Sequence, residues 1–180
     1  MPMDKIMFND QCGLTDAVID RRKTMTRRKN ARYRVGQIVG IAQCYRKILE
    51  EEYLPSQIET EVCRLVRTNH KGCTNKMYVS GDHMPHHIQF TGCKQERLQD
   101  ISDEDCLKEG VVRACIGYYV PGMKCKDWEK ESHVEAENGQ TWKLFPTPQE
   151  AFAYMIDKVE GKGTWESNPT VYAYEFELIN

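Results

Sequence analysis

Basic residues crowd a pair of threonines between Asp20 and Gly36, where the sequence is DRRKTMTRRKNARYRVG. Eight residues of this stretch are cationic and one is acidic, although the formal net charge of the whole 180-residue chain is -2. Positive charge is therefore concentrated in one short segment, and the natural chemical partner of such a segment is an anion.

Two interpretations of this basic stretch remain open at the level of the sequence. A run of charges is often the solvated face of a helix, with long side chains lying over apolar neighbours. Alternatively the stretch is an anion site, because arginine offers phosphate a planar fork and crowding by cations lowers the pKa of a lysine such as Lys23. Thr24 and Thr26 favour the anion site, since hydroxyls placed among cations suit oxyanion binding or nucleophilic attack.

The chain length and the apolar content predict one globular domain. A chain of this size buries about 70% of the surface that it exposes when unfolded, and 40% of its residues are hydrophobic. No window approaches the roughly 18 consecutive apolar residues of a membrane span, and the N-terminal residues MPMDKIMFND lack the basic start and apolar run of a signal peptide. These features predict a cytoplasmic protein.

Cysteine and histidine positions argue against disulfides and against a metal site. The eight cysteines are scattered singly through the chain, which predicts reduced thiols in a chain without an export signal. The metal-ligand residue types that lie closest together are His70, Cys73, His83, His86 and His87. Their spacing does not match the paired ligands of structural zinc sites, so we expect loop histidines and no metal.

The remaining motifs narrow the function classes. GxSxG, P-loop and GxGxxG motifs are absent from the sequence. Nothing therefore favours the nucleophile elbow of a hydrolase, a nucleoside triphosphate site or a dinucleotide site. We expect no cofactor. The near-neutral net charge argues against non-specific coating of nucleic acid but allows a local basic cleft. Trp165 lies in a segment flanked by glycine and could stack on a base, although most aromatic residues pack in cores.

Hydrophobic periodicity and capping residues predict the order of the elements. The predicted strands cover residues 3–8, 37–44, 77–80, 88–98 and 170–179. Helices are predicted after a cap at Thr15, in two segments divided by Pro55 between residues 45 and 66, from Ser102 to Glu109, and after a capping box at Thr147. Residues 111–143 predict loops and one hairpin.

This pattern of strands interrupted by single helices predicts an α+β fold with a mostly antiparallel or mixed, barrel-like sheet. Regular alternation of strand and helix, which would indicate a parallel sheet, is missing. We expect a single domain over residues 1–180, with insertions near residues 45–75 and 111–145.

Four segments in this order resemble one protein family. The segment RRKTMTRR at residues 21–28 resembles the signature of the ASCH domain, in which a lysine is followed by a threonine and an arginine; this domain belongs to the PUA-like superfamily. ERLQDISDEDCLKEG at residues 96–110, TPQEAFAYMIDKV at 147–159 and NPTVYAYEFELI at 168–179 resemble the family's acidic helix, later helix and closing strand. The chain departs from the family at Arg21, where a glycine is usual, and in its two insertions.

The resemblance implies a small PUA-like, β-barrel-like fold with surrounding helices and a basic cleft that binds RNA or a modified nucleoside. A bacterial branch of the family hydrolyses the amide of acetylcytidine with a lysine and a threonine of the signature and a distant glutamate. Those positions correspond to Lys23, Thr26 and Glu109, which are expected to be catalytic if this chain is an amidohydrolase.

The expected ligand contacts around these residues are Arg22, Thr24, Arg28 and Trp165. Three functions remain open: binding of RNA or a modified nucleoside, hydrolysis of an acylated nucleoside, and a structural or regulatory role without a ligand. Binding to phosphate predicts affinity that falls steeply with salt, whereas hydrolysis of a free nucleoside predicts turnover with little salt dependence.

Overall fold

The computed structural model describes residues 2–51, 54–127, 129–136 and 139–179. The strands are β1 (Lys5–Ile6), β2 (Met25–Arg28), β3 (Ile38–Ile41), β4 (His87–Arg97), β5 (Val112–Ala114), β6 (Gly117–Tyr119), β7 (His133–Glu135), β8 (Thr141–Lys143) and β9 (Thr170–Leu178). The α-helices are α1 (Leu14–Ile19), α2 (Tyr45–Ile48), α3 (Ser56–Arg67), α4 (Asp103–Lys108), α5 (Pro148–Glu160) and α6 (Thr164–Ser167).

The main sheet has five strands in the order β1-β3-β4-β9-β2. β1 runs parallel to β3, and the other neighbouring pairs are antiparallel. The fold is therefore mixed α+β, as the sequence predicts. In the part of the chain that the structure describes, no pairing joins the edge strands β1 and β2, so the sheet stays open there and the barrel-like closure remains a prediction.

The core lies between the main sheet and α5. Phe90 on β4 packs against Tyr174 and Phe176 on β9, with ring centroids 5.3 and 6.3 Å apart. Phe152 and Met155 of α5 are buried in the same cluster. The strict alternation of β9 and the apolar stripe of α5 predict this packing, because each element turns one apolar face to the other.

A second, smaller apolar cluster gathers α2, α3 and the segment after α3. Its buried members are Ala42, Tyr45, Ile48, Val62, Leu65, Val79 and Met84. The residues of the predicted first insertion thus pack mainly on one another. Lysine side chains join this cluster to the start of the chain: Lys76 Nζ bonds Phe8 O and Asp10, and Lys5 Nζ donates to Val79 O at 2.5 Å.

Helix caps that depend on local sequence are confirmed. Ser102 Oγ accepts the Asp105 N–H at the start of α4, and Thr147 Oγ1 accepts the Glu150 N–H at the start of α5. The predicted cap at Thr15 is wrong, because α1 begins at Leu14 after Gly13, which has a φ of 62°. The Thr15 hydroxyl donates instead to Asp10 at 2.5 Å.

Two other predictions need correction. Residues 77–80 do not form a strand, since Lys76–Tyr78 is a 3-10 turn whose start is fixed by the Asn75 side chain accepting the Met77 N–H at 2.9 Å. Residues 111–143 hold two hairpins rather than one, β5–β6 and β7–β8. In both cases short segments are decided by side-chain and long-range contacts that periodicity does not report.

No helix in the described ranges is both long enough and apolar enough to cross a membrane.

Candidate functional site

A tight turn after α1 directs Lys23 into the protein. Arg21 adopts the left-handed conformation, with a φ of 62°. The backbone N–H groups of Arg22 and Lys23 then both bond Ala17 O at 2.8 Å, and β2 begins two residues later. Because of this turn Arg21 and Arg22 remain exposed, whereas Lys23 is only 2% exposed.

Lys23 meets Glu109 inside the protein, although the two residues are far apart in the sequence. Lys23 Nζ donates to the backbone oxygen of Glu109 at 2.9 Å and also bonds Glu109 Oε2. Glu109 follows the last turn of α4 and is 3% exposed. The Thr24 N–H donates to Lys108 O at 2.8 Å, so the chain just after Lys23 is held against the chain just before Glu109.

Arg27 is a further member of this site, which the sequence pattern did not predict. Its side chain is 1% exposed and binds three acids: Nη1 bonds Glu109 Oε1 at 3.0 Å, Nη2 bonds Asp105 at 3.0 Å, and Nε bonds Glu96 at 2.9 Å. Each carboxylate oxygen of Glu109 therefore has its own cation. The acidic run around residues 96–109 was the signal that could have indicated Arg27. Any carboxylate of this run that becomes buried needs a buried cation as its partner.

The surroundings of Lys23 favour its neutral form. Burial lowers the pKa of Lys23, while the charge and hydrogen bond of Glu109 act in the opposite direction, and Arg28 and Arg27 lower it further. Since Arg27 also binds Glu109, the carboxylate is shared between two cations and holds the Lys23 proton less firmly. A lysine in such a place can accept a proton from a neighbouring hydroxyl.

Thr26 is the hydroxyl that shares a small cavity with Lys23 and Glu109. It lies on β2 opposite Tyr174 of β9 and is 4% exposed. Among the described residues, none hydrogen-bonds the Thr26 hydroxyl. We call this cavity the inner chamber; its walls are Met7, Phe8, Asn9, Leu14, Lys23, Thr26, Arg27, Arg28, Glu109, Met155, Ile156, Val159 and Glu160. The inner chamber lies between strand β2 and the residues that follow β1. Helix α5 covers it with mainly apolar side chains.

The inner chamber adjoins a wider, basic cleft at the surface. This outer cleft has a volume of about 310 Å³ and is lined by Lys5, Met7, Arg28, Lys29, Asn30, Arg32, Tyr33 and Glu160. Met7, Arg28 and Glu160 line both spaces, so the two lie side by side with these three residues between them. A ligand in the outer cleft could therefore place one small group beside Lys23 and Thr26.

Three of the predicted ligand contacts lie elsewhere. Arg22 is exposed and pairs with Asp20 at 3.2 Å. Thr24 acts through its backbone, which joins β2 to α4 and β9. Trp165 lies in α6, packs edge-on against Phe152 with centroids 6.1 Å apart, and lines a different, shallow cleft on the outer side of α5. Of the predicted contacts, Arg28 alone lines the inner chamber and outer cleft.

The histidines and cysteines have ordinary structural surroundings. His70 accepts the Gly72 N–H at 3.0 Å, and His83 Nδ1 lies 3.1 Å from the hydroxyl of Tyr45. Within the described ranges, no group of three or more His, Cys, Asp or Glu side chains could hold a metal ion. The eight cysteines are free thiols.

Comparison with protein-family models, with curated proteins and with solved structures gives no match.

Proposed function

We propose that this protein binds a modified nucleoside and hydrolyses an acyl amide on its base. The observation that carries the proposal is the buried contact between Lys23 and Glu109 at the wall of the inner chamber, which Thr26 also lines and where no described residue hydrogen-bonds the Thr26 hydroxyl. The proposal includes membership of the ASCH family, with its PUA-like fold, as the sequence resemblance implies.

The residues of the inner chamber supply a complete reaction. Neutral Lys23 takes the proton of the Thr26 hydroxyl as Thr26 Oγ1 attacks the acyl carbon, and Arg28 stabilises the charge that develops on the carbonyl oxygen. The C–N bond then breaks, Lys23 returns the proton to the leaving nitrogen, and the acyl group remains as an ester on Thr26. Water activated by Lys23 cleaves this ester to a carboxylic acid, and Glu109 keeps Lys23 in position throughout.

The size of the two spaces supports a nucleoside as the ligand. A volume of about 310 Å³ places the outer cleft at the lower end of small-molecule sites, which span roughly 300–1,000 Å³. The inner chamber is much narrower, and the apolar side chains that α5 contributes to it suit a short acyl group. Exclusion of water by these walls would also strengthen the interactions of Lys23 and Glu109 with a developing charge.

Binding without chemistry is the second candidate function, with RNA or a modified nucleoside as the ligand. One observation favours it: the hydrogen bonds of Lys23 Nζ go to Glu109, and none joins it to the Thr26 hydroxyl in the described part of the chain. In this version the network of Lys23, Glu109 and Arg27 only shapes the cleft, and the cations of the outer cleft attract the ligand.

An assay with acetylcytidine and with a short RNA separates the two functions. Hydrolysis predicts that the wild type releases acetate, that Lys23→Met abolishes the release, and that Lys47→Met, at an exposed lysine paired with Asp16, leaves it intact. Binding alone predicts no release by any variant and RNA affinity that falls with salt. Acetate release by Lys23→Met at the wild-type rate would contradict the proposed mechanism.

A further inference from the structure

The outer cleft carries an excess of positive charge, of which the proposed hydrolysis of a neutral nucleoside uses only Arg28. Lys5, Arg28, Lys29 and Arg32 line it, against one acid, Glu160. A cleft with this balance attracts an anion, because the cations repel one another until a negative ligand enters.

Arg28 is held in a fixed position and has an unused donor. Its Nη2 donates to Met7 O at 2.8 Å, and its guanidinium lies 5.7 Å from the ring centroid of Phe8. Arg28 Nε is buried and has no acceptor in the described part of the chain. Arg28 Nη1 has no acceptor among the described residues either, so the guanidinium, which lines both cavities, has donors left for the oxygens of a ligand.

The other cations of the outer cleft differ in how many hydrogen bonds and ion pairs they already make. The Lys5 ammonium donates to the backbone oxygens of Met77 and Val79, so it adds charge but is already bonded. Lys29 pairs with Glu160 at 3.5 Å. Arg32 is exposed, lies 5.6 Å from the ring of Tyr33, and has no carboxylate partner among the described residues.

Arg32 lies close enough to Lys5 for its charge to act on the Lys5 ammonium. Burial lowers the pKa of Lys5, and the charge of Arg32 lowers it further. Arg28 and Arg32 both line the outer cleft, and each offers a planar fork that matches phosphate.

We propose that the outer cleft is a phosphate site in which Arg28 and Arg32 bind a phosphate ester of the ligand whose base reaches the inner chamber. The phosphate itself follows from the charges and the free donors of the cleft; the position of the base rests on the proposed function. The phosphate can belong to a nucleoside monophosphate or to an RNA strand, because both present the same oxygens to the two arginines.

The direct test follows the arginine Nε–H signals of the intact protein by NMR during titration with inorganic phosphate, cytidine and cytidine 5′-monophosphate. We expect a saturable shift of the Arg28 signal with phosphate and with the monophosphate, and none with cytidine. A flat Arg28 signal throughout the phosphate and monophosphate titrations overturns the phosphate site.

Variants that remove the same charge at different positions distinguish a specific phosphate site from non-specific electrostatic attraction. Arg28→Gln and Arg32→Gln should each weaken binding of cytidine 5′-monophosphate about tenfold. Arg32 is exposed, so its substitution should leave folding intact. Arg34→Gln removes the same charge from an exposed arginine outside the outer cleft and should change the affinity less than twofold. Equal losses in Arg32→Gln and Arg34→Gln overturn the proposal.

Two further comparisons identify the source of the phosphate and keep this proposal separate from the proposed function. A cytidine trinucleotide that binds at least tenfold more tightly than the monophosphate indicates an RNA strand, and equal affinities indicate a mononucleotide; both support the site. Equal kcat/KM for acetylcytidine and its 5′-monophosphate overturns the phosphate site and leaves hydrolysis standing. Saturable phosphate binding without any hydrolysis supports the site and removes the enzyme function.

Discussion

Glu109 divides its carboxylate between two cations, and this division decides what Lys23 can do. Oε2 bonds Lys23 and Oε1 bonds Arg27. If Lys23 were the only partner, the pair would hold its proton tightly. With Arg27 present, the carboxylate keeps a counter-charge after Lys23 has lost its proton, so the neutral form of Lys23 leaves no unpaired charge behind.

The pH dependence of hydrolysis tests this role of Lys23. The reaction needs neutral Lys23, so the rate should rise with pH as Lys23 loses its proton. Because burial lowers its pKa, the midpoint of the rise should lie below the ordinary lysine value of 10.5. Glu109→Gln removes the charge that raises the pKa of Lys23 and should move the midpoint to lower pH. A midpoint at or above 10.5, or a shift upward in Glu109→Gln, would be inconsistent with Lys23 as the base.

Arg21 is strained in a way that glycine would relieve. Its left-handed φ of 62° is costly for a residue with a Cβ, and the ASCH signature that the sequence resembles has glycine at this position. Arg21→Gly should raise the free energy of unfolding by about 1 kcal/mol in urea denaturation. Arg22→Gly, at a position without positive φ, is the matched control and should give no gain. A loss of stability in Arg21→Gly would show that its bond to Leu178 O outweighs the strain.

Single residues of the site were predictable from the sequence to different degrees. Lys23, Thr26 and Glu109 stand at motif positions, and the structure brings them to one chamber. Arg27 lines the same chamber, but its three acidic partners lie far along the chain. Contacts at such sequence separation leave no periodic signal, which is why the pattern did not mark Arg27.

At the scale of elements, Arg27 ties three pieces of secondary structure together. It extends from β2 to Glu96 on β4, to Asp105 on α4 and to Glu109 after α4. These contacts hold α4 against the sheet. They therefore also hold the Glu109 side chain in its position beside Lys23.

Substitution of Arg27 should therefore destabilise the fold. Arg27→Met removes the buried cation that Glu96, Asp105 and Glu109 share and leaves Glu109 Oε1 without its donor, so it should lower the free energy of unfolding by about 3 kcal/mol or more, measured in urea. Arg22→Met removes an exposed pair with Asp20 and should change it by less than about 0.5 kcal/mol. Equal, small effects of the two substitutions would mean that the buried network does not hold α4 in place.

Elements whose ends are set by local chemistry were the predictable ones. The caps at Ser102 and Thr147 and the division at Pro55 depend on a few neighbouring residues, and all three match the structure. The 3-10 turn at Lys76–Tyr78 depends on the Asn75 side chain, and β8 of the second hairpin also pairs with Lys124 outside that hairpin. Short segments of this kind follow the tertiary structure rather than their own propensity.

At the scale of the whole molecule, the site lies where the open sheet leaves a gap. β1 and β2 are the two edges of the main sheet, and the inner chamber is bounded by the ends of both. Helix α5 covers the gap, and Arg28 crosses it with its bond to Met7 O. The open edge thus creates the cavity, and the basic stretch lines it because it contains β2.

The distribution of charge over the molecule predicts a moderate salt dependence for RNA. The net charge of -2 disfavours bulk attraction, so binding should depend on Arg28, Lys29 and Arg32 in the outer cleft. Two or three phosphate contacts to a single strand give a slope of log affinity against log salt of about -1.4 to -2. Fluorescence anisotropy with a short RNA measures it. A slope near zero would exclude phosphate contacts, and a much steeper one would indicate a wider basic surface.

The most direct measurement of the central claim is acetate release from acetylcytidine by Thr26→Val and Thr26→Ser. Valine matches the shape of threonine on a strand, and the Thr26 hydroxyl has no partner among the described residues, so Thr26→Val should alter the free energy of unfolding by less than about 1 kcal/mol. We predict that Thr26→Val loses hydrolysis by about a thousandfold or more, while Thr26→Ser retains measurable turnover. Hydrolysis by Thr26→Val at the wild-type rate, or none by the folded wild type, would contradict the account.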